Sequence, residues 1–264
     1  MKPNVRPKKH LGQHFLKDNR IAGKIAACLQ GTGEYKEVLE IGPGTGVLTQ
    51  FLKDDARFEL KVIELDSESV AYLKEFLLAE EQIIEGDFLK LDLPGLFPEK
   101  VALIGNLPYN ISSQIFFKLY EYRNLIPEMV CMIQKEVADR IAAPPGNKTY
   151  GILSVLLQAF YDIKYEFTVE PGAFNPPPKV RSGVLSLVRN QCTQLDCDEA
   201  LFFKLVKQGF NNRRKTLRNA LKSLLGGDLV LKDEIFGKRA EQLSVEGFVQ
   251  LTHLVTEAME ARKQ

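Results

Sequence analysis

The stretch EVLEIGPGTGVLT, Glu37 to Thr49, decides the fold. Glu37-Val38-Leu39-Glu40-Ile41 reads as a β-strand, and Gly42, Gly44 and Gly46 follow at alternate positions before a helical pattern near 45–54. Glycine lets backbone approach a ligand, and the N-terminus of a following helix offers unpaired N–H groups. The spacing is G-x-G-x-G. A dinucleotide fingerprint needs G-x-G-x-x-G, and Val47 stands where its third glycine belongs. No Lys-Ser/Thr pair follows the glycines, so a P-loop is excluded as well. The loop therefore favours a nucleoside ligand over a pyrophosphate one.

Working outward, further strands are predicted at 60–63, 82–84, 101–104 and 129–133, alternating with helices over 19–30, 67–79 (Ser67 as its cap), 111–121 and from Lys135. Strands that alternate with helices form a mostly parallel α/β sheet. After a helix over 151–161 the pattern changes. Segments 162–169 and 183–188 alternate as strands with no helical crossover between them, which predicts antiparallel pairing. Residues 189–198 read as a polar linker, and from Glu199 only helical periodicity remains. The expected organisation is a domain over 1–190, with a basic N-terminal arm, and a small all-helical domain over 191–264.

Bulk properties narrow the function classes. With 264 residues, 45% of them hydrophobic, the chain can bury one large core and a smaller one. The formal net charge of +1 gives no overall sign of a nucleic-acid partner. No apolar run reaches membrane-spanning length and no signal-peptide core stands at the N-terminus, so a cytoplasmic protein without a membrane is expected. Cys28, Cys131, Cys192 and Cys197, with His10, His14 and His253, show no zinc-ligand spacing. Neither a metal site nor a thiol nucleophile is expected.

Acidic residues close two strands beyond the glycine loop. Glu64 ends the second strand, where a carboxylate can accept both ribose hydroxyls of an adenosine group. Asp87 follows the third, placed to accept an adenine amino group, with Phe88 against the ring. Ligands of open α/β sheets bind at the carboxyl ends of strands, so three successive strand ends point to one site.

Positive charge is segregated. Residues 200–227 hold Lys204, Lys207, Arg213, Arg214, Lys215, Arg218 and Lys222 with no acid, and the arm adds Lys8 and Lys9. Such one-signed surfaces track phosphates. Lys8, Lys9, Arg213, Arg214, Lys215 and Arg218 are the expected RNA contacts.

The motifs GQHFL (12–16), EIGPGTGVLT (40–49), IELD (63–66), GD (86–87), NLPY (106–109), AFNPPPKVRS (173–182) and FNNRRKTLRNAL (210–221) occur in this order. Together they resemble the KsgA-type small-subunit rRNA adenine N6,N6-dimethyltransferases over nearly the whole chain. The resemblance implies a class I, Rossmann-like S-adenosylmethionine-dependent methyltransferase with an antiparallel last strand and a helical C-terminal domain. It implies cofactor contacts at His14, Leu16, Gly42, Glu64, Asp87 and Asn106, with Gly44 in the same loop. His14 stands where many members have Asn. The implied substrate is a pair of adjacent adenosines near the 3′ end of small-subunit rRNA, in an immature 30S particle, and a monomer is expected.

NLPY suits that chemistry. The N6 lone pair of adenine is delocalised into the ring, and two acceptors on its hydrogens favour a pyramidal, attacking nitrogen. The Asn106 side chain and the carbonyl of Leu107 or Pro108 are suitable acceptors, and proline stiffens the backbone there. Tyr109 can stack on one face of the base and Phe174 on the other. Two other readings compete: a large-subunit rRNA adenine methyltransferase of the macrolide-resistance type, and a non-catalytic nucleic-acid-binding factor. Intact Gly42, Glu64, Asp87, Asn106 and Tyr109 favour an enzyme.

Overall fold

The computed structural model describes residues 5–225 and 233–262. In chain order its elements are β1 (Phe15–Leu16), α1 (Asn19–Ala26), β2 (Glu37–Ile41), α2 (Thr49–Leu52), β3 (Glu59–Glu64), α3 (Ser67–Phe76), β4 (Ile83–Glu85), α4 (Leu93–Leu96), β5 (Val101–Asn106), α5 (Ser112–Glu121), β6 (Glu128–Gln134), α6 (Lys135–Ala142), α7 (Ile152–Gln158), β7 (Tyr161–Val169), β8 (Phe174–Asn175), β9 (Ser182–Arg189), α8 (Glu199–Asn211), α9 (Leu217–Leu225) and α10 (Val245–Ala261). Short 3₁₀ turns lie between several of them.

Seven strands form one sheet in the order β4-β3-β2-β5-β6-β9-β7. From β4 to β6 all neighbours are parallel, whereas β9 runs antiparallel to β6. β5 and β6, at the centre, are buried along almost their full length, as the continuous apolar runs VALI and MVCMI require of strands covered on both faces. The first strand, β2, lies between β3 and β5, so the strand order reverses there. That reversal opens a crevice at the carboxyl ends of these strands.

Two local expectations are corrected. α2 is only one turn long, because Gly44 and Gly46 take positive φ (56° and 76°) and hold the chain in a loop as far as Leu48. The cap of α3 is Asp66, whose backbone is extended and whose carboxylate accepts the Glu68 N–H; Ser67 is already helical.

The chain divides into two compact units, residues 1–139 with 162–189, and residues 140–161 with 190–264. The segment 140–161, read from the sequence as part of the first domain, thus groups with the C-terminal helices. Its bonds explain why. Within the second unit the Gly146 N–H donates to the Glu241 carbonyl (2.6 Å), and the Tyr150 ring meets Phe210 edge-on at 6.0 Å. Phe202, Leu205, Leu217, Leu221, Phe248 and Leu251 form the buried centre of that unit. Among the described residues, no helix is long and apolar enough to cross a membrane.

Candidate active site

The crevice of the first unit is a cleft of about 940 Å³, including the solvent at its mouth. Its floor and walls come from strand ends: Gly42 and Gly44 after β2, Glu64 ending β3, Gly86 and Asp87 after β4, and Asn106 ending β5. Leu107, Pro108 and Tyr109 extend one wall, and His14 of the N-terminal arm closes it. The structure thus brings together nine of the expected residues from five separate parts of the chain.

Glu64 is a buried carboxylate at the cleft (5% exposed). Its two oxygens accept one N–H each, from Gly44 and from Asp66, both at 2.9 Å. An ionised carboxylate has about four lone-pair directions, so two remain for hydroxyl donors. Burial raises its pKa, with the charge of Asp66 adding to the rise, while the N–H groups of Asp66, Gly44 and Leu65 act against it. The Gly44 turn tolerates no side chain: φ is positive, and a Cβ would stand 2.8 Å from the Phe15 ring. Asp87 accepts the Leu89 N–H on Oδ1 (2.9 Å), which opens a 3₁₀ turn and leaves Oδ2 as an acceptor.

Glu40, behind the glycine loop, is a second buried carboxyl. Burial pushes its pKa up to about 8, against the Thr49 hydroxyl bonded to it at 2.7 Å, and the charge of Glu64 adds to the rise. The folded state therefore holds a proton that the unfolded chain releases near 4.5. The stability tied to that proton is fully present below 4.5 and declines as pH rises toward 8, by an amount on the order of a few kcal/mol. Glu40→Gln keeps the neutral form at every pH. Its Tm, relative to wild type, is expected to climb steadily between pH 5 and 8; a constant difference across that range refutes the assignment.

The NLPY turn and the arm are bonded to each other. Asn106 Nδ2 donates to the His14 carbonyl at 2.9 Å. A carbonyl only accepts, so this bond fixes which way the amide points and leaves Oδ1 as the acceptor at the cleft. The Leu107 N–H donates to the Met132 carbonyl (3.0 Å) and the Ile111 N–H to the Pro108 carbonyl (3.3 Å). The Pro108 carbonyl is thus engaged, which makes that of Leu107 the better second acceptor. The Tyr109 hydroxyl bonds Ser182 Oγ at 2.6 Å, and the Tyr109 ring stacks on His14 with centroids 5.5 Å apart. The His14 ring donates in turn from Nδ1 to the Pro176 carbonyl at 2.8 Å. Ser182 and Asn110, given no role in the sequence reading, belong to this frame: Ser182 bonds the Tyr109 hydroxyl, and the positive-φ turn at Gly12 sets the arm against Asn110.

A family model described as ribosomal RNA adenine dimethylase matches residues 4–257. The chain belongs to this family. The Ribosomal RNA small subunit methyltransferase A of Cytophaga hutchinsonii is 58% identical over 96% of this chain and 98% of that protein. That of Bacteroides thetaiotaomicron is 57% identical over 97% of this chain and 96% of its own length. Among solved structures, a dimethyladenosine transferase from Plasmodium falciparum superposes with a TM-score of 0.77 at 27% identity, covering 93% of this chain and 98% of its own. The 23S rRNA methyltransferase ErmE superposes at 0.65 with 24% identity over 90% of this chain and 99% of its own, a likeness of fold alone.

Some residues expected in this adenine dimethylase site lie elsewhere. Phe174 is 1% exposed and packs in the core, paired through β8 with Leu16 of β1, which is also buried. Releasing a buried phenylalanine forfeits about 1.5–3 kcal/mol, as much as the 1–3 kcal/mol that stacking on a base returns. Breaking the Leu16–Phe174 pair adds to that cost, so Phe174 belongs to the core, and Tyr109 is the aromatic of the NLPY turn that lines the cleft. Leu16 likewise supports the arm from beneath. Lys8 is not a free phosphate contact: its ammonium bonds the buried Asp66 carboxylate and lies 3.2 Å from Glu68. Arg213 is engaged within the helical unit, donating to the Lys148 carbonyl (2.6 Å) with Nε 3.6 Å from Glu241. Lys9, Arg214, Lys215 and Arg218 are exposed.

Proposed function

We propose that this protein transfers methyl groups from S-adenosylmethionine to N6 of two adjacent adenosines near the 3′ end of small-subunit rRNA, giving N6,N6-dimethyladenosines. The family and the small-subunit names of the full-length relatives support this reading. The observation that carries the chemistry is the amide of Asn106, whose N–H is spent on the His14 carbonyl and whose oxygen stays open.

The cleft residues fit S-adenosylmethionine. Glu64 keeps acceptor capacity for two ribose hydroxyls after taking two N–H groups, and Asp87 keeps one oxygen for an amino group. Bound there, this cosubstrate supplies a methyl group already activated by the adjacent sulfonium charge. Asn106 Oδ1 and the Leu107 carbonyl hold the two N6 hydrogens of the target and turn its lone pair outward. Tyr109 carries the base on the ring face opposite His14. The target must leave any stack or pair to arrive there, since N6 is engaged within a duplex. Rate then comes from holding the amine in line, and the methylated cation sheds its proton to water. In the second transfer N6 carries one methyl and one hydrogen, so one of the two acceptors holds that hydrogen, and its loss to water after methylation gives the dimethyl product.

Exposed Arg214, Lys215 and Arg218 follow the end of α8 and enter α9, where they bind rRNA phosphates. Arg214→Glu with Arg218→Glu is expected to weaken RNA binding at least about tenfold and to lower the salt slope by about 2. Filter binding from 50 to 300 mM salt reads both, and an unchanged slope removes these residues from the interface. The protein acts as a cytoplasmic monomer on an immature 30S particle.

The test is methyl transfer from labelled S-adenosylmethionine to small subunits lacking the modification, with the RNA digested and read by mass spectrometry. Dimethyladenosine at two neighbouring positions is the expected product. Transfer to large-subunit rRNA alone moves the activity to the resistance-type reaction, and binding without transfer leaves a nucleic-acid-binding factor.

A further inference from the structure

α5 leads away from the NLPY turn and carries a buried cation. Lys118 is only 8% exposed, although lysine is rarely buried unless paired. Its partners are backbone carbonyls: those of Phe88 at 2.8 Å, Leu89 at 3.2 Å and Leu91 at 2.5 Å. An ammonium has three protons, and three acceptors stand around this one. The Phe88 ring lies 5.2 Å from Nζ and the Tyr122 ring 5.7 Å. Burial lowers the pKa of the ammonium, with Glu121, Asp87 and Asp92 acting the other way.

The Leu89 and Leu91 carbonyls stand at the end of the 3₁₀ turn Phe88–Lys90, and the Phe88 carbonyl, which also accepts the Leu91 N–H, opens it. Helical turns leave their last carbonyls without partners, and a cation at that end both bonds them and complements their dipoles. Asp87 caps the start of the same turn and Lys118 caps its end. Asp87, Phe88 and Leu89 line the cleft, whereas Lys118 lies behind them and does not. A side chain that never touches the ligand therefore holds the wall that would meet the adenine ring.

We infer that Lys118 is a positioning residue for nucleobase selection: it clamps residues 87–91 so that the Asp87 carboxylate recognises the 6-amino edge of the cofactor's adenine. This rests on the reading of the cleft as the S-adenosylmethionine site. The clamp also ties that wall to α5, and hence to the turn bearing Asn106.

The test compares two ligands by calorimetry: S-adenosylhomocysteine, with a 6-amino group, and S-inosylhomocysteine, with a 6-oxo group. Wild type is expected to prefer the first by at least about tenfold, the usual weight of one good buried hydrogen bond against a mismatched partner. In Lys118→Met, which keeps the aliphatic stem, the preference is expected to fall to about twofold or less, with cofactor KM up about tenfold and kcat within about twofold. Lys118→Gln restores an uncharged NH₂ with two donors and is expected to fall between the two. It replaces the methionine variant if that variant does not fold, and loss of folding in both overturns a role confined to positioning. Equal weakening of both ligands, with the preference intact, also overturns it. Wild type that binds neither ligand overturns the cofactor reading and this one with it. Wild type that prefers the amino ligand beside an equally selective Lys118→Met overturns the Lys118 role alone.

Discussion

Asn106→Ala lowers kcat for methyl transfer by about 10²–10³-fold, the loss typical of removing one preorganised polar contact to the reacting group. Two effects combine. The acceptor for one N6 hydrogen disappears, and the His14 carbonyl loses its Nδ2 donor, which loosens the arm on the cleft. Asn106→Asp separates them. It keeps an acceptor but sets a carboxylate against the His14 carbonyl, so the arm is repelled. Its expected signature is a raised cofactor KM added to a smaller fall in kcat. RNA affinity of both variants stays near wild type, because the exposed cations Arg214, Lys215 and Arg218 are untouched. Single-turnover transfer with separate RNA-binding titrations reads these quantities. Asn106→Ala at more than about a tenth of the wild-type rate would falsify the N6-holding role.

Glu64→Gln weakens cofactor binding by about 10²-fold or more, although it preserves volume. The carboxylate receives N–H groups from Gly44 and Asp66, one on each oxygen. An amide offers only one oxygen, so its NH₂ must confront one of those N–H donors, and a buried donor left unmatched costs about 1–3 kcal/mol. One ribose hydroxyl loses its acceptor as well. About 1.4 kcal/mol is tenfold in affinity, so two such losses reach about 10²-fold. Calorimetry with S-adenosylhomocysteine measures this directly, and circular dichroism melting separates it from unfolding. An affinity within about threefold of wild type would mean that the ribose is held elsewhere.

Much of this site was legible along the chain because its signals are local. A strand reads as an apolar run, its end is marked by glycine or an acid, and parallel topology delivers successive ends to one crevice. Gly42, Gly44, Glu64 and Asp87 follow from that logic without any knowledge of long-range contacts, Asn106 from the NLPY motif, and the structure lines the cleft with all five. The adenine dimethylase family, too, was readable from motifs spread over nearly the whole chain. Local logic has a resolution limit, however. The cap of α3 fell one residue earlier than its Ser-initiated pattern suggested, and the glycines kept α2 shorter than periodicity allowed.

What depends on which surface meets which could not be read in that way. A phenylalanine beside a proline loop has the same sequence whether it faces a base or a core. Pairing of β8 with β1 decides for the core. A lysine in a basic arm has the same sequence whether it faces phosphate or protein, and Asp66, 58 residues away, claims Lys8. Segment 140–161 reads as a continuation of the α/β pattern, yet its bonds run to the C-terminal helices. Lys118 is one more cation on an amphipathic helix until three carbonyls from residues 88–91 close around it. The sequence by itself determined the sheet, the crevice and the acids and amide that end its strands, because these follow from periodicity and strand direction. Tertiary structure decided which aromatic is buried, which cations are spent internally and what braces residues 87–91, because each depends on a partner far away in the chain.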